Sequence, residues 1–188
     1  MKTNKAFLEM GGKLLIERSL AVLEGVFAEV FISANDIPLY QRFGKQVVPD
    51  IYKGQGPLGG LHAAMQRAAY DVVFFVACDM PFINEAVIRY LARKTGDYDI
   101  VVPSVGGRVH TLHGFYHRKC LPVIDRHLQL GKRKLAELFS DFDVCYVGEA
   151  ELAPFGDLGL IFANANTPEE FQALKQREVS IISAQNKG

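Results

Sequence analysis

The sequence predicts an α/β fold: three layers, with a mostly parallel sheet covered by helices on both faces. Three observations predict it. Short β-rich runs alternate with segments of helical period along all 188 residues. Asp71 leads into the unbroken apolar run Val72 to Cys78, the pattern of a strand buried on both faces. Glycine and proline punctuate the junctions, as at Gly11-Gly12, Gly25 and Pro49.

Taken in order, Leu14, Leu15, Ile16, Leu20, Val22 and Leu23 recur at helical spacing and place a helix over residues 13 to 25. Val30 to Ile32 reads as a strand, Pro38 to Phe43 as a short helix and Val47-Val48 as a brief strand. Pro57 to Tyr70 reads as a helix, with proline in a first turn where its missing N–H costs nothing. The strand from Asp71 to Cys78 follows, then a helix from Asn84, its expected N-cap, to Lys94. Asp99 to Pro103 is a strand, and the glycines among residues 105 to 117 suggest a hairpin. Lys119 to Leu128 and Lys132 to Phe139 read as helices; Val144 to Val147 and Gly159 to Phe162 read as strands. Pro168 to Gln176 closes the chain as a helix capped by Thr167. No linker or repeat interrupts residues 1–188, which implies one domain, with roughly 178–188 expected to be a frayed tail.

Composition narrows the function. Lysine plus arginine and aspartate plus glutamate each number 21, which argues against nucleic acid as a partner. Three scattered cysteines with no C-x-x-C pair argue against a zinc ligand set and fit a reducing cytoplasm. The chain has neither an apolar run of membrane-spanning length nor an apolar leader at Met1 to Lys5, so no membrane role is expected.

Four features bear chemistry. Cys78-Asp79-Met80-Pro81 follows the buried strand, where an open α/β sheet holds its ligands. Asp79 there suits Mg²⁺, which takes one or two protein carboxylates and fills its other positions with water and phosphate oxygens. The alternative is an acid that caps the next turn. The stretch from Asp50 through Gly54, Gly56, Pro57, Leu58, Gly59 and Gly60 joins a strand to a helix N-terminus, a setting in which backbone can approach a ligand closely. It also reads as an ordinary connection, and no Gly-Lys-Ser/Thr follows to make it a Walker loop. Asn164 and Asn166 put two amides on one side of an extended segment, ahead of a Thr167-x-x-Glu170 capping box. Lys5, by itself, is an ordinary terminal lysine. The five histidines form no metal-binding pair; His110 and His113 sit in the expected hairpin, where they either edge the site or are structural. Lys132-Arg133-Lys134 reads as solvated surface or as a contact for an anionic substrate.

In order, these pieces resemble the molybdenum cofactor guanylyltransferases. Thr3 to Lys13 looks like the family segment after its glycine-rich loop, and Ile32-Ser33-Ala34-Asn35 like its second-strand ending. Asp50 with Gly56 to Gly60, Cys78-Asp79-Met80-Pro81 and Asn164-Ala165-Asn166-Thr167-Pro168 match the later motifs. The resemblance spans nearly the whole chain. It implies a Rossmann-like fold of the nucleotide-diphospho-sugar transferase type. The implied reaction moves GMP from GTP to the phosphate of molybdopterin and releases pyrophosphate, with Mg²⁺ as cofactor. Asp79 is then the metal ligand and Lys5 the contact for the nucleotide phosphates. Asp50 reads the guanine or ribose with Asn35 nearby, Gly56, Pro57 and Leu58 form the base-selecting loop, and Asn164 and Asn166 lie by the metal and the molybdopterin. The implied partners are GTP, molybdopterin or molybdenum cofactor, and other cofactor-biosynthesis proteins.

The sequence also departs from the family. Members begin with a strand running into Leu-Ala-Gly-Gly-x-Ser-x-Arg-Met-Gly, whereas this chain starts at that motif's methionine, with Lys2 where glycine is usual and Ser33 where asparagine is common. The first strand and glycine-rich loop are therefore expected to be missing, and the functional protein to be longer. Without them, loss of transfer activity and poor solubility are expected. The competing readings are a related CTP- or sugar-phosphate nucleotidyltransferase, a non-catalytic remnant that binds cofactor or partners, and a Rossmann-like domain without a nucleotide site.

Overall fold

The computed structural model describes residues 4–185. Lys2, expected to replace a glycine, and residues 186–188 of the expected tail lie outside the described residues. A 3-10 turn, Lys5–Phe7, opens the chain. A small hairpin of β1 (Glu9–Met10) and β2 (Lys13–Leu14) leads into α1 (Leu15–Val26), two residues later than the apolar spacing placed it. Then come β3 (Phe31–Ser33), α2 (Ile37–Gln41), β4 (Gln46–Val48), α3 (Gly56–Arg67) and β5 (Val72–Val76). Next are α4 (Glu85–Ala92), capped by Asn84 as expected, and β6 (Ile100–Val105). β7 (Arg108–Val109), β8 (His113–His117) and α5 (Leu121–Gln129) precede a 3-10 stretch, Leu135–Asp141, where a helix was expected. The chain ends with β9 (Val144–Gly148), α6 (Glu149–Leu152), α7 (Leu158–Ile161) and α8 (Pro168–Gln185).

The sheet is mixed rather than mostly parallel. β9 runs parallel to β6, but β8 runs antiparallel to both β5 and β6. The reason lies in the connections. β6 turns into β7 through Gly106-Gly107, both at positive φ (61° and 68°), and the chain returns at once into β8. A two-residue turn of that kind joins only antiparallel strands, while a parallel neighbour needs a crossover of a dozen or more residues. The expected hairpin is thus present, and it sets the sheet's direction.

Two further expectations fail. Residues around Gly159 to Phe162 form α7, not a strand; the Asp157 side chain accepts from the Leu160 amide, and four apolar residues carry too little periodicity to tell the two apart. The expected frayed tail is helical to Gln185, and its Glu178 is paired with Arg18.

Both faces of β5 are covered. Val72, Phe74 and Val76 pack toward α4 with Val87, Ile88 and Leu91; Val73 and Phe75 pack toward α3 and α5 with Leu61, Met65 and Ile124. Yet all five residues of β5 are only half-buried. β5 pairs with β8 along one edge, β3 pairs with β4 along one edge, and β3 and β5 do not pair with each other. The strand expected to be buried on both faces is covered on both, but is open along its second edge.

β8 lies tight against β6. A Cβ at Gly114 would stand 2.6 Å from Val102 Cγ1 and 2.8 Å from the Val101 carbonyl oxygen. Gly114→Val should therefore destabilise the fold by about 1–3 kcal/mol, the usual cost of overpacking, read as a lower urea midpoint.

Candidate active site

The site gathers at the carboxyl ends of β3, β4 and β5, from which Asn35, Asp50 and Asp79 follow. Lys5 joins it from the opposite end of the sequence. The Asn4 side chain caps the 3-10 turn by accepting from the Ala6 amide (3.2 Å) and donates to the Tyr40 hydroxyl (2.8 Å). Ala6 is fully buried, and the Phe7 ring packs on Tyr40 (5.4 Å) and Phe43 (5.9 Å) with the Arg42 guanidinium over it. The first turn is held by this packing, so Lys5 is a placed side chain.

Lys5 Nζ donates to Asp79 Oδ2 at 2.9 Å and to Asn166 Oδ1 at 2.7 Å. Three motifs separated by 74 and 161 residues thereby meet on one ammonium. The Asn166 segment is fixed beside Asp79 through the backbone: the Ala165 amide donates to the Asp79 carbonyl at 2.9 Å, with Ala165 fully buried. The expected capping box is formed, Glu170 accepting from the Asn166 and Thr167 amides and Thr167 Oγ1 accepting from the Glu170 amide. Asn164 flanks Ala165 on the other side, and its Oδ1 is buried without a hydrogen-bond partner.

A second pair lies at the ends of β3 and β4. Asn35 Nδ2 donates to Asp50 Oδ2 (2.9 Å) and the Asp50 amide donates to Asn35 Oδ1 (3.0 Å), so each residue fixes the other. The start of α3 presses against this pair. A Cβ at Gly60 would stand 2.6 Å from Ser33 Oγ and 3.7 Å from Asp50 Oδ1; one at Gly59 would stand 2.9 Å from the Tyr52 carbonyl oxygen. These two glycines permit close packing of helix on loop, while Gly56 and Pro57 are exposed at the helix start. The Leu58 side chain is fully buried in the core, so what this residue offers a ligand is backbone.

Other candidates fall elsewhere. His113 is fully buried, edge-on to Phe74 and Phe162, and His110 lies on the Phe162 ring. Both pack against aromatic rings. Arg133 leaves the basic run to donate to Gln55 Oε1 (3.0 Å), which ties that run to the glycine-rich loop. Sequence reasoning missed Tyr40 and Arg18. Arg18 reaches Glu178 (2.5 Å) and the carbonyls of Met10 and Pro81 (3.3 Å each), bracing the turn after Asp79. Neither shows a local pattern; their partners are 36 and 160 residues distant.

Among the described residues no group of three or more His, Cys, Asp or Glu converges on one point. The donor set around Asp79 consists of oxygens: its carboxylate, of which Oδ2 takes Lys5, and the unpartnered Asn164 Oδ1 one residue from the Asp79-bonded amide. A hard divalent cation fits such donors, a soft one does not.

Comparison with known proteins assigns the chain to a family. The family model described as the MobA-like NTP transferase domain matches residues 1–144. The chain belongs to the MobA-like NTP transferase family. It is a nucleotidyltransferase of the nucleotide-diphospho-sugar transferase fold. A relative from Pelotomaculum thermopropionicum, named a probable molybdenum cofactor guanylyltransferase, is 39% identical over 90% of this chain and 83% of its own. One of the same name from Clostridium perfringens is 36% identical over 94% and 90%. The crystal structure of molybdopterin-guanine dinucleotide biosynthesis protein A from Archaeoglobus fulgidus superposes with a TM-score of 0.85 at 23% identity, covering 95% of this chain and 92% of that one. A cytidylyltransferase from Thermus thermophilus, which acts on 2-C-methyl-D-erythritol 4-phosphate by name, shares the fold at a TM-score of 0.69 and 17% identity, covering 93% of each chain.

The transferase's buried histidine gives a pH prediction. Burial pushes the His113 imidazole down to about 3. The native state keeps it neutral while the unfolded chain protonates it below about 6.5. Its contribution to stability is therefore present above pH 6.5 and is lost as pH falls toward 3, at up to about 1.4 kcal/mol per pH unit. Urea unfolding across this range should show that slope, and His113→Leu should flatten it.

Proposed function

We propose that this transferase moves GMP from GTP to the terminal phosphate of molybdopterin and releases pyrophosphate, in the cytoplasm and with Mg²⁺. The observation that carries the reading is the junction of Lys5, Asp79 and Asn166 at the carboxyl ends of the strands, in a chain whose relatives carry guanylyltransferase names. Residues 1–188 act in this reading as one unit, since Lys5 and Asn166 come from opposite ends of the sequence.

The difficulty in the reaction is electrostatic. A phosphate monoester must attack a second phosphorus that is itself surrounded by negative oxygen, so positioning and charge neutralisation supply most of the catalysis. Lys5 has three N–H donors; Asp79 and Asn166 take two and leave one for a phosphate oxygen. Holding the ammonium in place before substrate arrives removes the cost of ordering a flexible side chain. Asp79 with Asn164 would hold Mg²⁺, which when bound neutralises charge on the triphosphate. The Asp50 carboxylate, oriented by Asn35, accepts hydrogen bonds from the donor edge of guanine or from a ribose hydroxyl. The exposed start of α3 at Gly56 and Pro57 lies beside it and offers backbone to the base. No covalent protein nucleophile is required.

The test is pyrophosphate release from Mg²⁺-GTP in the presence of molybdopterin, with protein purified from its native source. Asp79→Asn and Lys5→Met should each lower the turnover rate by about 10²–10³-fold, as loss of a preorganised charge contact does. Equal turnover with CTP would move the reading to a cytidylyltransferase, the activity named for the Thermus thermophilus protein of the same fold.

A further inference from the structure

The stretch from Asp50 to Gln55 belongs to no helix or strand, so its shape depends on what its side chains hold. Asp50 is held by Asn35 at one end and Gln55 by Arg133 at the other, both on exposed surface. Between them stands a sheltered contact. The Tyr52 hydroxyl donates to Asp125 Oδ1 at 2.6 Å, within the short range of a hydroxyl on a carboxylate. The second Asp125 oxygen accepts from Gln129 Nε2 (3.0 Å), one turn further along α5. The Tyr52 ring packs on the core between α3 and α5 and meets the His62 ring edge-on at 5.2 Å. His62 Nε2 lies 3.4 Å from the same Asp125 oxygen that Tyr52 takes. Burial pushes the His62 imidazole below its ordinary value and leaves it uncharged at neutral pH, so the hydroxyl is the group that the Asp125 charge holds.

We propose that Tyr52 is a positioning residue for the nucleotide: its hydroxyl, anchored on Asp125 of α5, fixes the loop so that Asp50 is presented to the base or ribose. The inference rests on the role given to Asp50 above. The coupling between the two residues runs through the first turn of α3. A Cβ at Gly59 would stand 2.9 Å from the Tyr52 carbonyl oxygen and 3.8 Å from Asp50 Cγ, so backbone at one residue and carboxylate at the other lie against the same point. α5 is in turn seated on α3, with Ile124 and Leu128 in one cluster with Leu61 and Met65. The hydroxyl therefore ties the loop to a frame of two packed helices. Without it the ring still packs, but the orientation of Asp50 rests on an exposed amide–carboxylate pair for which water competes. Nothing in this anchor touches Lys5 or Asp79, so its loss should weaken nucleotide binding and leave the transfer step alone, raising KM with kcat unchanged.

The test compares the chain with its Tyr52→Phe, Asp125→Ala and Asp125→Asn variants and with the Tyr52→Phe/Asp125→Ala double variant. Calorimetry gives the Kd for GTP with Mg²⁺, and amide hydrogen exchange of residues 51–56 is followed on the free protein. Tyr52→Phe and Asp125→Ala should each raise Kd about tenfold and speed loop exchange, as loss of a hydrogen bond to a charged group does. Asp125→Asn keeps an acceptor oxygen and should stay within about twofold of the parent chain. The double variant should bind no worse than either single one, because both remove one contact. A structural role alone would lower the urea midpoint without moving Kd, and that result overturns the proposal. So does Asp125→Asn binding as weakly as Asp125→Ala, or losses that add in the double variant. Failure of the parent chain to bind GTP overturns the role of Asp50 and this one with it, whereas GTP bound equally by parent and Tyr52→Phe overturns the anchor alone.

Discussion

One ammonium group organises the working end of this molecule. Lys5 Nζ stands between a carboxylate from the end of β5 and an amide from the segment before α8, and each of those is independently fixed. The Asp79 backbone accepts the Ala165 amide, Thr167 and Glu170 lock the helix entry, and Phe7 holds the lysine's own turn against Tyr40 and Phe43. None of these contacts is strong alone. A partly exposed ion pair is worth about 0–1 kcal/mol because water and salt screen it. Their value is geometric: two parts of the chain that share no sequence neighbourhood are brought into register beside Asp79.

What could be read from sequence was what is encoded locally. The helical period of Leu15 to Leu23, the cap at Asn84, the Thr167–Glu170 box and the β-run of Val72 to Val76 each follow from residues within a few positions of one another. The site candidates were chosen for a different reason: Asp50, Asp79 and Asn166 carry motifs in a family order. What failed was non-local or under-determined. The direction of β8 depends on how the chain returns from β7, and the four residues of α7 are too short to show a period. The tail from Glu178 onward looked frayed because its polarity was visible and its partner, Arg18, was not.

The glycines divide in the same way. Gly106 and Gly107 are legible as a turn from their spacing alone. Gly60 and Gly114 are not, since what each avoids is an atom far away in sequence: Ser33 Oγ for one and Val102 Cγ1 for the other. The first supports the pair of Asn35 and Asp50 by letting α3 close on it; the second lets β8 seat on β6. A sheet of mixed direction is therefore compatible with candidate residues gathered after the ends of β3, β4 and β5, because β8 contributes packing.

Arg18 has a reach that its place in α1 does not suggest. Its guanidinium joins Glu178, in the second half of the last helix, to the carbonyl of Pro81, two residues beyond Asp79. The second half of α8 therefore acts as a clamp on the turn after Asp79. Shortening the chain before Glu178 would leave that cation with only carbonyl dipoles and the Phe82 ring for company, and the resulting slack would reach the turn after Asp79.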